Sequence, residues 1–139
     1  MTQAYTVIQE ILDTQLQTVV GLPTFTKENI KAVPEATKAW SRATLLPAQT
    51  QVIGIGHTGL RMDQGFYQID LFYPQGSGNV AANTMADLVQ NSFVRGSYYT
   101  SGSVSILIDR IYRIPATSLT QATFYHIAVM IAWQYYDNA

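Results

Sequence analysis

Arg61-Met-Asp-Gln-Gly-Phe-Tyr-Gln-Ile-Asp-Leu-Phe-Tyr-Pro74 is the stretch whose reading decides the fold. Tyr67, Ile69, Leu71 and Tyr73 alternate with Gln68 and Asp70, the two-residue period of a half-buried strand. Pro74 has no N–H to give to a ladder, so the strand is expected to stop there. Gln75-Gly-Ser-Gly-Asn79 is turn chemistry, with Ser77 or Asn79 placed to cap a helix. Beyond it Ala82, Met85, Ala86, Val89 and Phe93 recur at spacings of three and four, an apolar helical stripe. The nearest surface for that stripe is the apolar face of the preceding strand. Strand, loop and helix together predict the seed of an α+β domain.

The flanking segments extend this unit. Residues 3–19 read as an amphipathic helix, with Ala4, Ile8, Ile11, Leu12, Leu16 and Val19 on one side. Thr2 is the expected N-cap, and Gly21 with Pro23 the stop. Thr24 to Ile30 suits a short edge strand, and Pro34 to Thr37 a turn. Ala39 to Leu46 reads as a strand ended by Pro47. Gln49 to Leu60 carries three glycines and is expected to form a mobile arm or loop, with Ile53 and Ile55 in alternation. Arg95 to Gly102 reads as a Gly/Ser/Tyr loop, and Ser103 to Ile114 as a strand ended by Pro115. Ala122 to Tyr136 is the longest strand, with Tyr125, Ile127, Val129, Ile131, Trp133 and Tyr135 on one face, the expected floor of the core.

The other face of that last strand carries Phe124, His126, Ala128, Met130 and Ala132. A strand apolar on both faces is normally covered on both. Two helices cover only one side of such a sheet, which makes the second side a natural subunit interface. The expected architecture is a mostly antiparallel sheet of four to five strands with two helices packed on one face.

Composition points the same way. The chain has 139 residues, enough for one domain spanning 1–139 with one core. Charged residues are 12%, against about 25% in a typical soluble domain, a deficit that suits a surface covered by other chains. The net charge is −1, and the eight Lys and Arg are scattered, without the basic stripe of a nucleic-acid footprint. There is no cysteine, which excludes disulfides and thiolate metal sites. No apolar run has the length of a membrane span, and the N-terminus lacks a signal-peptide pattern, so the expectation is a protein made and used in the cytoplasm.

Candidate chemistry is sparse. Gly54-Ile-Gly-His-Thr-Gly59 and Gly76-Ser-Gly78 invite a phosphate reading. The first lacks the spacing of a dinucleotide fingerprint and the second the Lys-Ser/Thr of a phosphate loop, so both read as turn glycines. His57 in a loop and His126 in mid-strand have no metal-ligand spacing, and no serine sits in a nucleophile-elbow pattern. Asp63 and Asp70 lie an odd number of residues apart and point to opposite faces. Asp109 and Asp70 have Arg110 and Arg113 as expected partners. Tyr98 and Tyr99, in a Gly/Ser loop, read as contact residues. No cofactor and no catalytic site is expected.

The central run resembles a family of small tail proteins of bacteriophages and prophages, described as tail terminator-like or minor tail proteins. The likeness rests on Gly59-Leu-Arg61, Gly65 leading into the strand, Phe72-Tyr-Pro-Gln-Gly-Ser-Gly78, Ala86-Asp87 and Phe93. Leu22-Pro23, the opening helix and the C-terminal strand pair also fit. Thr24 to Val33 departs from the pattern, which has Asn and Pro around an aromatic; Asn29 is the nearest match. The resemblance implies a ring-forming subunit, a hexamer, that docks on the tail tube, stops tube growth and meets a head-completion protein. The contacts expected on that basis are Ile53, Ile55, His57, Arg61, Tyr98, Tyr99, Phe124, His126 and Met130. Other readings are a different head–tail connector, a small ligand-binding domain, or a hydrolase.

Overall fold

Alternating apolar residues and two apolar helical stripes assemble around one core. In the computed structural model, residues 3–27, 38–52, 61–74, 76, 79–117 and 124–137 are described. They form α1 (Gln3–Leu16), β1 (Thr24–Lys27), β2 (Trp40–Val52), β3 (Arg61–Pro74), α2 (Val80–Ser92), β4 (Tyr98–Ser101), β5 (Val104–Thr117) and β6 (Phe124–Asp137). The strands make one six-stranded sheet in the order β1-β2-β3-β6-β5-β4. The strands β2 to β6 form the expected antiparallel sheet, and short β1 adds to its edge in parallel with β2.

The centre is the pairing of β3 with β6, unbroken from Arg61 opposite Asp137 to Pro74 opposite Phe124. Tyr67, Ile69 and Leu71 of β3 and Ile127, Val129, Ile131, Trp133 and Tyr135 of β6 share the buried face. Both helices lie on that face. α1 contributes Ile8, Ile11, Leu12 and Leu16, and α2 contributes Ala82, Met85, Ala86 and Val89, with Phe93 just beyond. Each large side chain so buried contributes about 1.5–3 kcal/mol. That exceeds anything the exposed ion pairs supply, so the core holds the fold.

Gly65 of β3 lies tight against Leu46 and Pro47 of β2 and Trp133 of β6. A Cβ there would lie 2.5 Å from the Leu46 carbonyl oxygen and 2.7 Å from Cζ2 of Trp133. The indole occupies the space a side chain would need.

Four expectations change. β2 runs on through Pro47 and β5 through Pro115, and in both cases the register breaks beside the proline, between Pro47 and Thr50 and between Ile114 and Thr117. A bulge accommodates the missing N–H, so neither proline ends its strand. Tyr98–Ser101 is strand β4, joined to β5 by the two-residue turn Gly102-Ser103, with Gly102 at φ +60° as such hairpins need. Helix α1 ends at Leu16, and the chain reaches Gly21 through a turn. Asn79 occupies the N-cap of α2 but makes no side-chain cap bond; its carbonyl accepts from the Asn83 N–H. Thr2, Ser77 and the turn at 34–37 lie outside the described residues.

A further break falls between Ile108 and Arg110, leaving Asp109 as the extra residue of a bulge. It flips the alternation: Ile106 and Ile108 face the helices before it, Ile111 and Arg113 after it. Breaks of this kind bend a strand, and the sheet is curled.

Candidate contact face

The side of the sheet away from the helices is built from four rows that cross the strands. Trp40, Phe72 and His126 form one row; Arg42, Asp70, Ala128 and Ile114 the next; then Thr44, Gln68, Met130 and Tyr112; then Leu46, Phe66, Ala132 and Arg110. In the first row the rings lie flat on one another. Trp40 and Phe72 are 4.1 Å apart between centroids and 10° from parallel, and Phe72 and His126 are 4.7 Å apart at 13°. The Arg42 guanidinium lies 6.0 Å from the Trp40 ring centre and 5.5 Å from that of Phe72, within cation–π range.

Asp70 organises this arrangement. Its carboxylate is buried at 1% exposure, unlike the solvated position that the alternation of β3 suggests. Oδ1 lies 2.7 Å from Nε2 of His126 and accepts from the Gln68 amide at 2.8 Å; Oδ2 lies 3.5 Å from Arg42. Burial alone raises the carboxyl pKa, but the hydrogen bonds from His126 and Gln68 and the charges of His126 and Arg42 outweigh it and hold Asp70 below the usual carboxylate range. The partners of Asp70 are thus Arg42 and His126, and not Asp109 with its neighbouring arginines. Arg113 instead reaches α2, bonding Asp87 at 2.5 Å and Gln90. Arg110 sits 3.8 Å from Asp109.

The middle of this face needs no second chain to cover it. Ala128, Met130 and Ala132 are already buried, because small residues on the central strand sit between larger ones such as Phe66, Phe72 and Tyr112 on its neighbours. The apolar exposure lies at the margins, on Leu46, Tyr112, Ile114 and Tyr136. Tyr112 meets Phe66 edge-on and carries Arg110 above its ring. The result is a surface of stacked rings and paired cations with apolar edges.

Of the expected contact residues, His126 and Met130 come together on this face. Phe124 heads β6 opposite Pro74, and Arg61 heads β3 opposite Val52 and Asp137. Tyr98, on β4, is 63% exposed. Its neighbour Tyr99 is half-buried, packs edge-on against Phe93, and accepts the Val94 N–H on its hydroxyl, so it serves the core more than a partner. Ile53, Ile55 and His57 lie outside the described residues, as does the Gly54–Gly59 run. Trp40, Arg42 and Phe72 were not among the expected contact residues; the signal for them was their common parity on strands that pair.

On the helix side, Tyr67 donates its hydroxyl to the buried Asp13 of α1. Burial, with the bond to Asp13 and its charge adding, pushes the Tyr67 pKa far up, so the phenol stays a neutral donor. A cavity of about 300 Å³ opens between α1 and β4, lined by Glu10, Ile11, Thr14, Gln15 and Tyr99 among others. A smaller one of about 90 Å³ lies beside Gly65 and the Asp109 bulge. Among the described residues there is no group of three or more His, Cys, Asp or Glu able to hold a metal. No helix among them is long and apolar enough to cross a membrane.

Comparison with known proteins places this architecture among the structural proteins of phage tails. The family described as phage tail terminator protein matches residues 7–133, and the chain belongs to that family. No curated protein sequence matches significantly. Fifteen solved chains match significantly. One superposes with a TM-score of 0.66 over 91% of this chain and 94% of its own, at 19% identity, a likeness that speaks for the fold alone.

Proposed function

We propose that copies of this chain form a ring, a hexamer, that caps the tail tube, ends tube polymerisation and offers the surface on which a head-completion protein joins. The observation that carries this reading is the family match over residues 7–133. The helix-free face supports it: stacked Trp40, Phe72 and His126, with Arg42 held by Asp70, make a stiff surface suited to protein contact. Aromatic and arginine side chains of this kind carry binding energy at modest entropic cost. The role is one of contact and not of catalysis. Its partners are further copies of itself, the tube protein and the head-completion protein, and its place is the virion tail, assembled in the cytoplasm of the bacterial host.

The test is removal of the gene from a phage or prophage that encodes this chain, with tails imaged by negative stain. Loss of the chain is expected to give tubes of uncontrolled length that carry no heads, and supplying it in trans to restore both. Unchanged tube lengths and normal head joining sink the reading.

A further inference from the structure

The two shortest strands cap opposite corners of the sheet. Following the register across, Trp40 is level with Phe72, His126 and Thr117, and Ala43 with Ile69, Val129 and Arg113. β1 pairs only with Trp40–Ala43, so it stands level with residues 113–117 of β5. At that height, and back to Arg110, no described residue pairs with the outer edge of β5, since β4 pairs with Val104–Leu107 alone and the turn before it bonds Ile108. The opposite corner is the converse. Tyr99 is level with Ile106, Tyr135, Asp63 and Thr50, so β4 stands level with the part of β2 that β1 has left uncovered. Among the described residues each side of the sheet is therefore a step, and what protrudes on one side is recessed at the same height on the other.

We propose that a second copy of this chain fills each step. β1 of one copy adds to the bare half of β5 in the next, and that copy's β4 adds to the bare half of β2 in the first. This rests on the ring reading and names the surfaces that would join in it. Bare edges offer unpaired N–H and C=O groups, a template for another strand. Pro47 and Pro115 interrupt both bare halves at register breaks, leaving short runs that suit incoming strands of four residues. β2, β3, β6, β5 and β4 alternate in direction while β1 follows β2. Copies in one orientation thus bring β1 against β5 antiparallel and β4 against β2 parallel. The two surfaces differ, so the contact is head-to-tail, the kind that closes into a ring when successive copies are rotated.

The chain has no cysteine, so introduced thiols are the only ones present. Thr26→Cys, level with Arg42, is combined in turn with Arg110→Cys, Tyr112→Cys or Ile114→Cys, exposed positions on the same sheet face. The variants are oxidised as assembled rings, free or on tails, confirmed by negative stain. At least one pairing is expected to shift most of the chain into a ladder of covalent multimers that ends at the ring size. Each single-cysteine variant, and Thr26→Cys combined with Thr100→Cys, is expected to give dimers at most. Rings that form with no ladder in any of the pairings overturn this edge contact while leaving the ring standing. If no ring forms in solution or on tails, the ring reading fails, and the edge contact with it.

Discussion

His126 Nε2 stands 2.7 Å from Asp70 Oδ1, and the carboxylate it meets is only 1% exposed. The two residues belong to β3 and β6 and lie on adjacent rows of the helix-free face. Because Asp70 titrates lower in the folded chain than the ordinary carboxyl pKa, of about 3.9, the folded state binds fewer protons than the unfolded one near that pH. Its contribution to stability is therefore present above the unfolded pKa and is lost as the pH falls through the folded one. Urea unfolding midpoints are expected to be flat near neutrality and to drop below about pH 4. Asp70→Asn is expected to lower the unfolding free energy at neutral pH by about 1–3 kcal/mol, read as a lower urea midpoint, and to flatten part of the acid limb. An acid limb identical in both proteins overturns this account.

Tyr67→Phe removes the bond that β3 gives to Asp13 of α1, a hydrogen bond between two buried side chains. The expected cost is about 1–3 kcal/mol, read by thermal unfolding, with amide exchange rising first in α1. Ultraviolet titration of the native protein is expected to show one tyrosine that ionises only on alkaline unfolding, since burial pushes Tyr67 upward.

Gly65→Ala places a methyl group against the Leu46 carbonyl and the Trp133 ring. Backbone on one side and a fully buried indole on the other leave little room to yield. Destabilisation of about 1–3 kcal/mol is expected, with a change in Trp133 fluorescence. A variant as stable as the parent shows that the β2–β3 pairing flexes there.

Arg113→Ala is the contrasting case. Its partner Asp87 is 66% exposed, so the ion pair is screened by solvent and its loss is expected to cost about 0–1 kcal/mol. The small loss is expected to shrink further as salt is raised. A large, salt-insensitive loss points instead to the packing of its aliphatic stem between β5 and α2.

Tyr112→Asp tests the helix-free face. Tyr112 is 39% exposed, so the variant is expected to fold with a far-ultraviolet spectrum like the parent's. If the face is a contact surface, the variant is expected to fail in complementing a phage that lacks the gene. Full complementation removes this face from the assembly.

Much of the fold was legible where local pattern and tertiary context agree. The alternation of Tyr125 to Tyr135 marked the core face of β6, and the spacing of Ala82 to Phe93 marked the face of α2. Context overrode pattern at Pro47 and Pro115, where bulges let strands continue past residues that normally stop them. β4 was hidden because Tyr98–Ser101 has the composition of a loop, although Gly102-Ser103 ahead of Val104 carried a hairpin signal. The contact face was legible only in part. His126 and Met130 were visible in β6 alone, but the stack of Trp40 on Phe72 requires knowing which strands pair, and Asp70 reads as a solvated residue until His126 and Arg42 are set beside it.

The unbroken pairing of β3 with β6 has a kinetic consequence. Its partners are widely separated along the chain, from Pro74 and Phe124 at one end to Arg61 and Asp137 at the other. The middle of the sheet is thus completed only when β6, the last of the described strands, has left the ribosome. Until β6 emerges, β3 and β5 each lack their shared neighbour, and the apolar faces of both helices have no floor. Contacts of such long range slow folding, and the incomplete chain exposes sticky edges while it waits. The core therefore closes in one step, when β6 takes its place between β3 and β5.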